Sequence, residues 1–196
     1  MRALAGNAGG MRSQAGVTII ELLIVMGLLG LLASLALPRL NLTRYRLESA
    51  MLGVGTTLLA AQRLAVVRQH DVIVTFDVAN QALRVHQDAD NDAVVDAGER
   101  LRSYPLDEHV VYGRGAASPL PMGTGPVTFT KTNGGLPALT FHRNGSASEA
   151  RGLYLTSTRA AAGRVHPEDS RALELDRGTG RVNWYRYGPP AWRRGF

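Results

Sequence analysis

The chain has 196 residues, yet it contains no cysteine and only one lysine, Lys131. Without cysteine there is no disulfide and no thiolate metal site. Its five histidines, His70, His86, His109, His142 and His166, are scattered, with no HExxH or i, i+4 pair to hold a zinc ion. There is no G-x-S-x-G elbow and no Walker loop. Gly53-x-Gly55 follows no strand pattern, so it is no dinucleotide fingerprint. These absences leave no catalytic residue to name and point away from an enzyme. Acid is also in deficit, with 16 carboxylate residues against 22 basic ones, a net charge of +6 and a pI near 10.3. A basic chain suits nucleic acid or anionic lipid, or else reflects a bias toward arginine codons. The length suits one domain with an appended element.

What the chain does have is one long apolar run, Val17 to Leu37, VTIIELLIVMGLLGLLASLAL. As a helix its 21 residues would span roughly 30 Å, the thickness of a bilayer core. A soluble helix would keep one polar face, and this run keeps none after Glu21. A carboxylate inside a membrane span is costly unless paired, so Glu21 is a candidate functional residue. A secretory signal peptide cut at Ser34-Leu35-Ala36 is the competing reading. The run is too long for one, and a glutamate at its fifth position is out of place.

The residues around the run are more specific. Ser13-Gln14-Ala15-Gly16 precedes Val17-Thr18-Ile19-Ile20-Glu21. This resembles the prepilin signal of the type IV pilins and type II secretion pseudopilins. The resemblance implies cleavage between Gly16 and Val17 by a prepilin peptidase, and N-methylation of Val17. It makes Glu21 the fifth mature residue and Pro38 the twenty-second, the positions where the pattern has glutamate and proline. Val17 departs from the commoner phenylalanine or methionine. The 16-residue leader is also long, and starting at Met11 would shorten it to MRSQAG. Glu21 and Pro38 are then assembly residues, with the Glu21 carboxylate neutralising a neighbour's α-amine. The charge pattern disagrees in part: Arg39, Arg44 and Arg46 follow the span, and only Arg2 and Arg12 precede it.

Beyond Pro38 an amphipathic helix is expected to about Gln69. Its stripe is Leu40, Leu47, Met51, Val54, Leu58, Ala61 and Ala65, and Pro38 should kink the rod. From Asp71 the period becomes two. Strands are expected at 72–77, 82–87, 100–106, 110–113, 127–131, 139–142, 153–156, 172–176 and 181–187, with Gly/Pro/Asn turns between. The divisions are a leader 1–16, an assembly helix 17–37, a stalk 38–70 and a β-rich domain 71–196. The fold class is α+β, a pilin-like long N-terminal helix packed on an antiparallel β-sandwich. With Asp90-Asn-Asp92, Asp96-Ala-Gly-Glu99, Leu139-Thr-Phe141, Asn144-Gly145-Ser146 and Thr179-Gly-Arg181, the chain resembles the GspH/FimT family of minor pseudopilins and minor pilins. That implies a single-pass bacterial inner-membrane protein with a periplasmic C-terminal domain. Its partners would be other pilins, the assembly platform and the prepilin peptidase. The leading role is a GspH-like subunit of type II secretion; the alternative is a FimT/FimU-like minor pilin that binds DNA for uptake.

Two further constellations are candidate sites. Asp88, Asp90, Asp92, Asp96 and Glu99 stand at positions 1, 3, 5, 9 and 12 of a calcium-type loop. Against calcium, position six is Ala93 instead of glycine, and strands flank the loop; otherwise no cofactor is expected. In the tail, Arg181, Trp184, Arg186, Arg193 and Arg194 interleave base-stacking rings with cations, as a nucleic-acid surface would. Gly180-Arg181-Val182-Asn183 keeps only the first arginine of the family's GRxR-type DNA-binding motif, and a terminal strand with a basic end is preferred.

Overall fold

The computed structural model describes residues 16–36, 42–163 and 165–195. The chain divides into two units, 1–41 and 42–196. Pro38, with its expected kink, lies outside the described residues, as do the leader through Ala15 and Leu40.

In the first unit, helix α1 spans Ile19–Ala36. Thr18 caps it: the Glu21 backbone N–H donates to Thr18 Oγ1 at 3.3 Å, and Leu22 N–H to the Thr18 carbonyl at 3.2 Å. Glu21 thereby sits in the first turn, where a carboxylate suits the helix dipole. Every described side chain of α1 is exposed. Ser34 turns its hydroxyl inward to the Leu31 carbonyl at 2.7 Å, leaving the surface apolar on all sides. A helix of this kind is made to be covered, by lipid or by other helices.

The second unit begins with α2, Leu42–Arg68. Leu47, Met51, Val54, Leu58, Ala61 and Ala65 are buried, at the alternating spacing of four and three that defines one helix face. α2 is also long and apolar enough to cross a bilayer, but that buried stripe makes it a core helix. Gln69 ends it in the left-handed conformation, φ 59°.

Ten strands follow among the described residues: β1 Asp71–Asp77, β2 Ala82–Asp88, β3 Arg100–Pro105, β4 Val110–Tyr112, β5 Thr132–Asn133, β6 Leu136–Phe141, β7 Gly152–Ser157, β8 Arg171–Leu175, β9 Val182–Gly188 and β10 Ala191–Arg194. A short helix α3, Thr158–Gly163, and a 3-10 turn, Pro167–Asp169, join β7 to β8. The strands form two antiparallel sheets, ordered β3-β2-β1-β6-β5 and β10-β9-β8-β7-β4. Both pack on α2 around one core that includes Phe76, Phe141, Leu153 and Leu173. This is the expected helix-on-antiparallel-sheet architecture.

Two expectations need correction. Val127–Lys131 is no strand: it makes one isolated bridge, Val127 to Leu153. The Glu149 carboxylate takes the Thr130 and Lys131 amides at 2.9 and 3.0 Å, so a side chain receives what a neighbouring strand would accept. The chain also does not stop pairing at Tyr187. It turns at Gly188-Pro189-Pro190 and returns as β10, with Trp192 opposite Tyr187 and Arg193 opposite Arg186.

Candidate functional site

Glu21, Gly16 and Val17 form the N-terminal candidate. Gly16 and Val17 precede α1 outside any helix or strand and are exposed, and Glu21 stands exposed one turn later. The Gly16–Val17 peptide is therefore accessible, and Glu21 is the one carboxylate of α1.

The acidic candidate is the loop from Asp88 to Glu99, between β2 and β3. Asp88 is only 2% exposed and closes the turn by accepting Asp92 N–H on Oδ1 and Ala93 N–H on Oδ2, both at 3.1 Å. Ala93 adopts φ 65°, the left-handed conformation for which a calcium loop uses glycine. The objection raised by its side chain is thus met in backbone shape. Glu99 accepts from Ala89 N–H at 2.6 Å and Asp96 N–H at 3.2 Å, and pairs with His86 Nε2 at 2.5 Å. Those bonds, His86 first, hold its carboxyl down at about 2. Burial instead raises Asp88. The five carboxylates do not converge on one point. Asp88, Asp90 and Glu99 bring oxygens within 4.8 Å of one another, and so do Asp90, Asp92 and Asp96. Either set could hold a hard divalent cation.

The basic tail is divided by the pleat of β9 and β10. Trp192 joins Tyr154 and Tyr187 on one face, at centroid distances of 5.8 and 5.1 Å, and donates from Nε1 to the Ser118 carbonyl at 2.7 Å. Trp184 lies on the other face, packed against the core over Gly55 of α2. The two rings therefore pack on opposite faces of the sheet and do not form one shared surface. Arg194 bonds the Asn183 side chain, and Arg186 faces Glu48 of α2 with Nη1 at 3.8 Å from Oε1. Arg181 is exposed.

Two features were missed in the sequence. Gln62 donates through Nε2 to the carbonyls of Gly145 and Thr179, each at 2.7 Å. This joins the Asn144-Gly145 and Thr179-Gly180 turns on one side of α2. Glu48 Oε1 receives three guanidinium groups: Arg44 at 3.0 Å, Arg171 at 3.6 Å and Arg186 at 3.8 Å. Neither is visible until the register of β8 and β9 is known.

Residues 11–37 match the family model described as the prokaryotic N-terminal methylation motif. No curated protein matches the chain. Among solved structures it is similar to the minor pseudopilin EpsH from the Type 2 Secretion System of Vibrio cholerae. That likeness has 15% identity and a TM-score of 0.43, covering 73% of this chain and 96% of that one. The chain thus carries a prokaryotic N-terminal methylation motif over an apolar helix, and its second unit packs a core helix on two antiparallel sheets.

Proposed function

We propose that this chain is a minor pseudopilin of the GspH type, a structural subunit of a type II secretion pseudopilus. The observation that carries the proposal is the methylation motif at 11–37, coincident with a helix that is apolar on every side and has one carboxylate in its first turn. Cleavage after Gly16 frees the α-amine of Val17, which is then methylated. α1 anchors the subunit in the inner membrane, with the second unit on the periplasmic side. On assembly, α1 packs among the helices of neighbouring subunits, and Glu21 neutralises a neighbour's amine. Each charge alone would cost several kcal/mol in lipid, so pairing makes assembly depend on Glu21. Pro38, the twenty-second residue after that cut, is assigned to assembly with Glu21.

A second reading, a FimT/FimU-like minor pilin that contacts DNA, is favoured by Arg186 and Arg193, directly opposite each other on β9 and β10, with Arg181 exposed just before β9. The two readings share the N-terminal machinery and differ in what the second unit meets.

The experiment is affinity purification of the full chain from detergent-extracted membranes of its host, wild type beside Glu21→Ala. The expected result is that Glu21→Ala still fractionates with membranes but loses the other filament subunits. Equal recovery of those subunits would overturn the assembly role. Deleting the gene separates the two readings: lost protein export fits the first, and lost pili or DNA uptake fits the second.

A further inference from the structure

The registers of the second sheet align three arginines. Arg171 on β8 is opposite Arg186 on β9, and Arg186 is opposite Arg193 on β10. Directly opposed residues point to the same face of a sheet, and like charges so placed repel. That face is the one turned to α2, because Arg171 and Arg186 both approach Glu48 Oε1. Arg44, one turn before Glu48 on the same helix, approaches that same oxygen. Three guanidinium groups therefore share one carboxylate, and Arg193 adds a fourth cation opposite Arg186 on the same face.

The excess is partly buried. The Arg171 side chain is 2% exposed, and its Nε has no hydrogen-bond partner among the described residues. Its Nη1 donates to the Glu168 and Ser170 carbonyls at 2.9 and 3.0 Å, which fixes the guanidinium in place. Burial, and then the guanidiniums of Arg186 and Arg44, lower its hold on the proton, while Glu48 acts the other way. Arg44, Arg186 and Arg193 carry the cluster out to solvent. A fixed group of planar forks with surplus positive charge suits a phosphate oxygen.

The position in the chain indicates whose phosphate. Arg44 is the third residue of α2, and only residues 37–41 separate α2 from the end of α1. Five residues can span at most roughly 18 Å. If α1 is the membrane anchor, the cluster is tethered within reach of the headgroup layer, where a basic surface gains from anionic lipid.

We propose that Arg44, Arg171, Arg186 and Arg193 form a docking site for the phosphate of an anionic phospholipid headgroup. It holds the second unit against the bilayer before the subunit enters a filament. This rests on the reading of α1 as a membrane anchor. It also gives a reason for Arg44, one of the arginines that follow the span where the charge rule would not put them.

The test uses the full chain in neutral-detergent micelles doped with phosphatidylglycerol or phosphatidylcholine, with bound lipid counted by native mass spectrometry. Phosphatidylglycerol should be retained and phosphatidylcholine should not. The double variant Arg186→Gln/Arg193→Gln should retain roughly tenfold less, or lower still. Arg181→Gln, outside the row, should behave as wild type. Arg44→Gln, at an exposed helix position, gives the same reading if the double variant does not fold. Equal retention of the two lipids, or unchanged retention in Arg44→Gln and the double variant, would overturn the site. A 20-nucleotide DNA that displaces phosphatidylglycerol from wild type, and fails to bind the double variant, would overturn the lipid assignment in favour of nucleic acid. Alkaline extraction of host membranes is the separate check on the anchor. A chain released by alkali sinks the anchor, whatever the micelle result.

Discussion

The indole of Trp184 on β9 lies across Gly55 of α2 so closely that a methyl group on Gly55 would enter the ring. Glycine is there for the approach of helix to sheet, not for backbone freedom. Gly53, two residues earlier, has nothing within 4 Å of the place a methyl would take. Gly55→Ala should therefore overpack the core, costing about 1–3 kcal/mol. Gly53→Ala should stabilise by about 0.5–1 kcal/mol through helix propensity alone. Thermal melts of the detergent-solubilised chain should move in opposite directions for the two variants. Equal shifts would mean that Trp184 does not hold that position.

Gln62 is the second helix-to-sheet tie. Its one amide nitrogen serves both the Gly145 and Thr179 carbonyls. Gln62→Leu keeps the stem and removes both bonds, and should cost about 1–3 kcal/mol. Gly180→Ala should be harmful at the same place, because Gly180 has φ 62° and a methyl there would press on Gln62 and the Gly145 carbonyl. Chemical denaturation of the two single variants and the double variant would show non-additive losses if they act on one clamp.

The acidic loop gives a pH dependence. Glu99 in the folded chain titrates at about 2, below its ordinary 4.5. A depressed carboxyl contributes stability that is fully present above the ordinary value and is lost as pH falls toward the folded one. Stability should therefore fall between about pH 4.5 and 2. Asp88, raised by burial, works in the opposite sense, so the slope belongs to Glu99 and the other depressed carboxyls. Glu99→Gln should lower stability at neutral pH and flatten that fall. A melting series from pH 7 to pH 2 checks it, and an unchanged slope in the variant would remove Glu99 from the explanation.

The parts of the fold legible in sequence were those set by periodicity. The stripe from Leu47 to Ala65 needs only a 3.6-residue repeat, and β1 and β2 need only alternation and the turn at Asn80. Val127–Lys131 carries strand-like residues, yet the distant Glu149 takes its amides, and no local pattern reveals that. β10 was hidden because Gly188-Pro189-Pro190 reads as an end when it is a turn. At the sites, the order of charges in 88–99 was plain, but their division into two sets around Asp90 was not. Trp184 and Trp192 both lie among arginines, and the sequence alone does not show which face each takes. The pleat sends them to opposite faces, each into a packed cluster. The arginine row depends wholly on register: Arg171, Arg186 and Arg193 become neighbours only when three strands align.

Maturation as a prepilin is what the proposed function requires. It is tested by intact mass and N-terminal sequencing of the chain extracted from membranes, with and without a co-expressed prepilin peptidase. With the peptidase the chain should begin at N-methylated Val17, and without it the leader should remain. A soluble chain beginning at Leu37, peptidase present or not, would mean ordinary signal-peptide cleavage and would remove both the anchor and the role of Glu21.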